Sequence, residues 1–450
     1  MPIPLVVALT LLREALRALA FPLHAALYWL RRDAAQQRSR EILAHWTSAA
    51  DGEALSDFLA AHPPRRTDRP HVFLSAGEPS GEAHAVHLLR AVPVSARVRW
   101  TCFGGPRMAD AGGEVLVPLS NHAVMGVRGA LRALPFLVRT FARFLRLLRD
   151  DRPDLVVLVD YPGLHLVMAK AARRAGVPVI HYIAPQYWAW APWRMARYRG
   201  CVDACLAILP FEPAFFRRSG VPCEYVGHPL LDHLAADPPD RAKVAALRAD
   251  RWLCLLPGSR RAEIERHLPG MIRVARALRE ADPDARVLVA HRDPRRAEQI
   301  RAILAREGAD FVSFTLGEVR EKLAAAHVVL AKSGTGSLEA ALAGAPTVVV
   351  YRLASALLTF AYRHFFSVPW FAAANLIAAR TVVPERCFHR DDGWDWAARE
   401  VQRLWAGGPA RLHCLDHLAE VQTRLGAPGA SARVAHWVCG ALGLLPEQQR

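Results

Sequence analysis

Residues 328–352 read Val-Val-Leu-Ala-Lys-Ser-Gly-Thr-Gly-Ser-Leu-Glu-Ala-Ala-Leu-Ala-Gly-Ala-Pro-Thr-Val-Val-Val-Tyr-Arg. Val328–Ala331 and Thr347–Tyr351 are short, continuous apolar runs, the pattern of strands buried on both faces. Between them, the small residues of Ser333–Ser337 make a turn that opens a helix. A strand, a helix and a second strand in so short a span form a βαβ unit, which builds parallel sheet. Working backward, the same alternation predicts strands at Trp252–Leu256, Arg286–Ala290 and Phe311–Phe314. A break at Ala235–Asp240 precedes them. On its other side lie candidate strands His71–Ala76, Val98–Phe103, Leu155–Asp160, Val179–Ile183, Cys205–Leu209 and Glu224–Val226, with helices such as Gly129–Arg149 and Leu164–Ala175 between them. Two such series predict an α/β protein with two doubly wound, Rossmann-like parallel-sheet domains. Ligands of such folds bind beyond the carboxyl ends of the strands, and a cleft between the halves is the expected site.

The chain has 450 residues, 52% of them hydrophobic and 22% charged, which excludes disorder and a minimal stapled scaffold. Its 58 basic against 42 acidic residues leave +16, although only Lys170, Lys243, Lys322 and Lys332 are lysines. That balance predicts attraction to an anionic partner: phosphosugar, nucleotide, nucleic acid or anionic lipid. The positive charge forms no single block and no nucleic-acid motif appears, so no nucleic-acid partner is expected. Eight cysteines include no C-x-x-C pair, and read as buried free thiols.

The first thirty residues are apolar without the layout of a signal peptide. As a helix, they place Leu5, Leu9, Leu12, Leu16, Leu19, Leu23, Leu27 and Leu30 within an arc of roughly 80°. Arg13, Arg17, His24 and Arg31 edge that stripe. The reading ranks an amphipathic helix lying in a membrane interface first, a helix packed on the protein second and a spanning anchor third. Pro22 is expected to bend it. Residues 47–70 read as a linker. The expected organisation is a membrane-associated helical extension and linker over 1–70, a first domain over 71–235, a second over 236–385, and terminal helices over 386–450 that cross back to the first.

Motifs cluster where strands end. The first strand runs into Ser75-Ala-Gly-Glu-Pro-Ser-Gly-Glu-Ala-His84, where Ser80 is a candidate helix cap, and Gly81, Glu82, His84 and Glu78 offer amide, acid and hydrogen-bonding groups. In the second half, Gly258, Ser259 and Arg260 follow one strand and suit a diphosphate. Ser333, Gly334 and Thr335 open a second phosphate cradle, with Glu339 within the helix for sugar or ribose hydroxyls. Neither run is a P-loop or a dinucleotide fingerprint. Asp160, at a strand end, is a candidate general base or a buried cap. The aromatics of His181–Trp190 suit either a sugar or a core, and the aromatic, cationic stretch Leu353–Ile377 either a lipid surface or a core helix pair.

Taken together, SAGEPSGEAH (75–84), FGGPRMADAGG (103–113), VMGVRGALRALP (124–135), HYIAPQYWAW (181–190), LPFEPAFFRRSGVPCEYVGHPL (209–230), LPGSRRAEI (256–264), SGTGSLEAALAGAPTVVVYR (333–352) and NLIAARTVVPE (375–385) resemble the lipid-A-disaccharide synthase family. The resemblance implies a GT-B inverting glycosyltransferase without cofactor or catalytic metal. It implies transfer of diacylglucosamine from UDP-2,3-diacylglucosamine to 2,3-diacylglucosamine 1-phosphate, giving a β-1,6 disaccharide and UDP. It further implies peripheral residence on the anionic cytoplasmic face of the bacterial inner membrane. On this mapping Arg260 is the essential arginine, Glu339 and Asn375 serve the nucleotide, and the second domain holds the donor. Glu78, Ser80, Gly81, Glu82, His84, Trp188 and Arg194 fall on the acceptor side. Three positions depart from the family: Glu82 replaces an aspartate, Ala191 an arginine, and Gly163 the second aspartate of a D-x-P-D segment, whose carboxylate serves as base in well-studied members. Asp160, or a carboxylate of the Glu78/Glu82 turn, is left for that role. The departures also keep open a different lipid acceptor or a non-catalytic relative, and oligomeric state is not legible.

Overall fold

The computed structural model describes residues 2–46, 53–64, 67–122 and 126–445. Part of the expected linker (47–52 and 65–66) and part of the 124–135 motif lie outside the described residues. The chain divides into two compact units, Met1–Asp232 with Ala427–Arg450, and His233–Gly426.

The first unit holds strands β1 (His71–Ala76), β2 (Arg99–Phe103), β3 (Glu114–Val117), β4 (Leu155–Val159), β5 (Val179–Tyr182), β6 (Ala204–Ala207) and β7 (Cys223–Tyr225). They form one sheet in the order β3-β2-β1-β4-β5-β6-β7. Every neighbouring pair is parallel, and Ala76 of β1 stands beside Val159 of β4. All five residues of β4, Leu-Val-Val-Leu-Val, are buried, as a strand covered on both faces requires. The second unit holds β8 (Trp252–Leu256), β9 (Arg286–His291), β10 (Val312–Leu316), β11 (Val328–Lys332), β12 (Thr347–Arg352) and β13 (Glu385–Phe388) in the order β10-β9-β8-β11-β12-β13, again all parallel. Each sheet reverses its strand order beside its first strand, between β1 and β4 and between β8 and β11, so each unit is doubly wound.

Two readings of the sequence need correction. Within the stretch read as linker, Glu53–Ala61 is a helix whose Ala54, Leu55 and Phe58 are buried, and Phe58 meets the Trp437 ring edge-on at 5.9 Å. Of residues 386–450, only the last helix, Ala430–Ala441, lies in the first unit. There the Asp232 carboxylate accepts from the amides of Gly429, Ala430 and Ser431 at its start. Helices Asp392–Trp405 and Gly408–Leu425 stay in the second unit, because Trp394 packs against Gly270, Gln402 donates to the Ala277 carbonyl, Trp405 donates to Asp282 and Gln422 donates to the Leu342 carbonyl. The helix Ile3–Leu30 continues through Pro22. It presents Phe21 and Tyr28 to the Trp193 ring and Glu14 to Arg197, so it packs on the first unit by one side. All eight leucines of the stripe face outward, 47–77% exposed. No helix among the described residues is long and apolar enough to cross a membrane. All eight cysteines are free thiols, seven of them buried.

Candidate active site

In the second unit β8, β9 and β11 all end at one cavity of about 270 Å³, at the point where the strand order reverses. Gly258, Ser259, Ser333, Gly334, Thr335 and Glu339 line it, joined by Glu263, His291, Arg292 and Lys332. Gly258 has φ +109°, a conformation open to glycine, and a Cβ there would also strike the Glu263 side chain at 2.7 Å. The turn then enters the helix Arg261–Ala281, and the Ser333–Gly334 turn enters the helix Thr335–Leu342. Two helix N-termini therefore end at the same cavity, each with amides suited to an anion.

The amides of the first turn already have a carboxylate partner. Glu263 accepts from the Ser259 and Arg260 amides at 3.2 and 3.3 Å, while its other oxygen takes the Lys332 ammonium at 2.9 Å. Burial opposes ionising Glu263, but Lys332, with Arg260, outweighs it and holds the carboxyl below its ordinary pKa. Arg260 itself is half exposed and lies 3.5 Å from Glu263. Glu339 is nearly buried and held by the Arg292 guanidinium on both oxygens, one at 2.9 Å. Each carboxylate oxygen keeps a second lone pair for a hydroxyl. Asn375 is not brought to the cavity. It is fully buried, with Oδ1 accepting from the Val382 and Val383 amides (2.7 and 2.9 Å) and Nδ2 donating to the Val383 carbonyl and Glu385 (2.9 and 3.0 Å). Its hydrogen-bonding capacity goes into the chain around it.

In the first unit the ends of β1 and β4 are neighbours, so the turns after them meet. The Tyr161 ring lies against Gly77 so closely that a Cβ there would be 2.1 Å from it. Burial, then the nearby Glu78 carboxylate, raises the Tyr161 phenol. Glu78 and Asp160 thus belong to one cluster of turns. Asp160 and Tyr161 both have positive φ, +52° and +53°. Glu78, not Ser80, occupies the N-cap position of the helix Pro79–Ala91, and Ser80 is exposed at its second position. Gly81 is buried beside β4, where an added Cβ would stand 3.5 Å from the Val159 carbonyl oxygen. His84 packs edge-on against Tyr182. Glu82 is turned inward, accepting from the Arg107 amide (3.0 Å) and the Ser120 hydroxyl (2.8 Å). Trp188 is core, edge-on to Phe211, tilted against Phe215 and donating to the buried Glu212 at 3.1 Å. Arg194 lies 4.7 Å over the Trp190 ring and 5.7 Å from that of Phe21 on the first helix.

A family model described as Lipid-A-disaccharide synthetase matches residues 72–402. Lipid-A-disaccharide synthase of Acidobacterium capsulatum is 36% identical over 388 residues, covering 82% of this chain and 96% of that protein. Among solved structures, S. aureus MnaA in a co-structure with UDP has TM-score 0.56 at 13% identity, covering 84% of this chain and 98% of that one. A glycotransferase of kitacinnamycin has TM-score 0.53 at 15% identity, covering 84% and 100%. These two show a shared fold, the GT-B arrangement of two Rossmann-like sheets.

Proposed function

The chain belongs to the lipid-A-disaccharide synthase family, and from that premise we propose that it transfers diacylglucosamine from a UDP donor to diacylglucosamine 1-phosphate, forming the β-1,6 lipid A disaccharide. One observation carries the reading: a family match that runs from the first strand through both units and includes the glycine turns at the second unit's cavity. In the step itself, the acceptor hydroxyl oxygen bonds to the anomeric carbon while the bond from that carbon to the UDP oxygen breaks. UDP leaves with the electron pair, and the hydroxyl proton passes to a carboxylate. Inversion follows from a single displacement.

The second unit is the donor side. The helix N-termini and Arg260 stabilise the charge that grows on the diphosphate, as preorganised donors do. Glu263 accompanies Lys332 there and must yield the Ser259 and Arg260 amides when the diphosphate arrives. Glu339, oriented by Arg292, receives sugar or ribose hydroxyls. On the acceptor side Asp160 takes the proton, with Glu78 beside it. The protein sits on an anionic membrane surface, into which the exposed leucines of Ile3–Leu30 insert. Incubation of the purified protein with both substrates should release UDP and disaccharide in equal amounts. Arg260→Ala should cut kcat/KM by about 10²–10³, the range for loss of one transition-state donor. No product at high enzyme concentration would reject the assignment.

A further inference from the structure

We infer that His165 and His181, backed by Ser75 and Tyr198, are positioning residues that pin the main chain of Asp160 and thereby set where its carboxylate meets the acceptor hydroxyl. This rests on Asp160 as the base. Left-handed backbone costs a non-glycine residue roughly 1–2 kcal/mol, and here Asp160 and Tyr161 adopt it in succession. Such a conformation persists only where the surroundings over-determine it. They do so at one atom. The Asp160 carbonyl accepts from His165 Nδ1 at 2.6 Å and from His181 Nε2 at 3.0 Å, while the Asp160 amide donates to the Tyr182 carbonyl at 2.9 Å.

A carbonyl only accepts, so each imidazole must carry its proton on the nitrogen that faces Asp160. The remaining nitrogens are then acceptors. Ser75 Oγ donates to His165 Nε2 at 2.9 Å, and Tyr198 Oη donates to His181 Nδ1 at 3.1 Å. Both rings are fully buried, and burial pushes His165 down to about 3 and His181 to about 4. At neutral pH they are uncharged donors in fixed tautomers. The four residues come from β1, the helix Pro162–Arg174, β5 and the helix Met195–Arg199. A strand end needs one donor for its last carbonyl; four elements converging on this one fix the Cα–Cβ bond of the residue that carries it.

The test uses the full chain, kcat and KM for both substrates, and thermal unfolding. His165→Leu and His181→Leu should lower kcat about 10- to 100-fold while KM for the UDP-sugar stays within about twofold, as misplacement of a base demands. His165→Asn and His181→Gln, which return an N–H near the lost one, should recover most of that loss. Tyr198→Phe removes a single oxygen, keeps the fold, and should lower kcat several-fold. In an Asp160→Asn background the Leu substitutions should change the residual rate by less than about twofold. Folded Leu and Phe variants with wild-type kcat would overturn the positioning role, as would equal losses in the Asp160→Asn background. A fully active Asp160→Asn variant would instead remove Asp160 as base, and the positioning role with it.

Discussion

Gly163 stands at the second helical position after Asp160 and Tyr161, exposed, with nothing within 4 Å of a Cβ built on it. A carboxylate fits there at no steric cost and favours the positive end of the helix. If the acceptor hydroxyl approaches this turn, Asp160→Ala should lose about 10²–10⁴ in kcat, and Asp160→Ala/Gly163→Asp should regain much of it. A double variant as slow as Asp160→Ala would place the reacting hydroxyl elsewhere. Asn375 makes the opposite case. Its four hydrogen bonds close a buried loop, so Asn375→Ala orphans the Val382 and Val383 amides at about 1–3 kcal/mol each. The melting temperature should fall by several degrees with UDP affinity unchanged; lost UDP binding at an unchanged melting temperature would make Asn375 a ligand. The contrast shows what the sequence made legible. The turns Gly258–Arg260 and Ser333–Thr335 are local patterns, and they meet at one cavity. Lys332–Glu263 and Arg292–Glu339 join residues 69 and 47 positions apart, and no spacing rule reaches that far. His165 and His181 stand only 5 and 21 positions from Asp160, but their convergence on its carbonyl follows from the positive φ of that turn and from the neighbouring strand, which no local pattern announces.

Among the elements, the leucine repeat of Ile3–Leu30 shows what periodicity can and cannot decide. It located the stripe, yet could not say which way the stripe faces. Pairing of Glu14 with Arg197 and the contact of Tyr28 with the Trp193 ring settle that, turning the leucines out. At 47–77% exposure, each forgoes roughly half to three-quarters of the about 1.5–3 kcal/mol that full burial of a leucine returns. Leu16 and Leu19 are 58% and 77% exposed, so Leu16→Glu/Leu19→Glu should leave thermal unfolding unchanged. Sedimentation with vesicles of mixed zwitterionic and anionic phospholipid should drop at least about tenfold. Undiminished sedimentation would mean that this helix is not the lipid contact; the helix Ala356–Phe365, with Leu357, Leu358 and Phe360 exposed, would be tested next. Eleven strands were readable as apolar runs, to within two residues at their ends. Strands β3 (Glu-Val-Leu-Val) and β13 (Glu-Arg-Cys-Phe) were not. Both are four-residue edge strands, partly exposed and mixed in polarity, so neither makes a continuous apolar run. The helix Glu53–Ala61 was hidden by its setting, nine residues among polar neighbours.

For the molecule as a whole, the buried titratable groups fix how stability responds to acid. Burial lowers His165 to about 3, and His181, His228 and His267 to about 4. It raises Glu212 and Glu385 to about 7 against their backbone hydrogen bonds. The signs oppose one another. An imidazole held neutral in the fold leaves stability untouched above about pH 6.5, then costs up to about 1.4 kcal/mol per pH unit as the unfolded chain takes up the proton. A carboxyl held neutral costs stability above its unfolded pKa, so acidification from about pH 7 to 4.5 returns some of it. Four imidazoles against two carboxyls leave a net loss on acidification. The +16 charge grows with every proton gained and adds self-repulsion. Melting temperature should therefore decline from about pH 6.5 to 4.5 and fall more steeply just below, where the carboxyl contribution has ended and the imidazoles still titrate. Added salt should soften the part due to self-repulsion and leave the imidazole part in place, since buried groups are little screened. His165→Asn deletes one imidazole but keeps a donor for Asp160, so its melting curve should be flatter than wild type across the same interval. A melting temperature that holds constant or rises down to pH 4.5, or an identical slope in the Asn variant, would show that these rings take up protons without unfolding, and so that they are not the neutral, fixed donors behind Asp160.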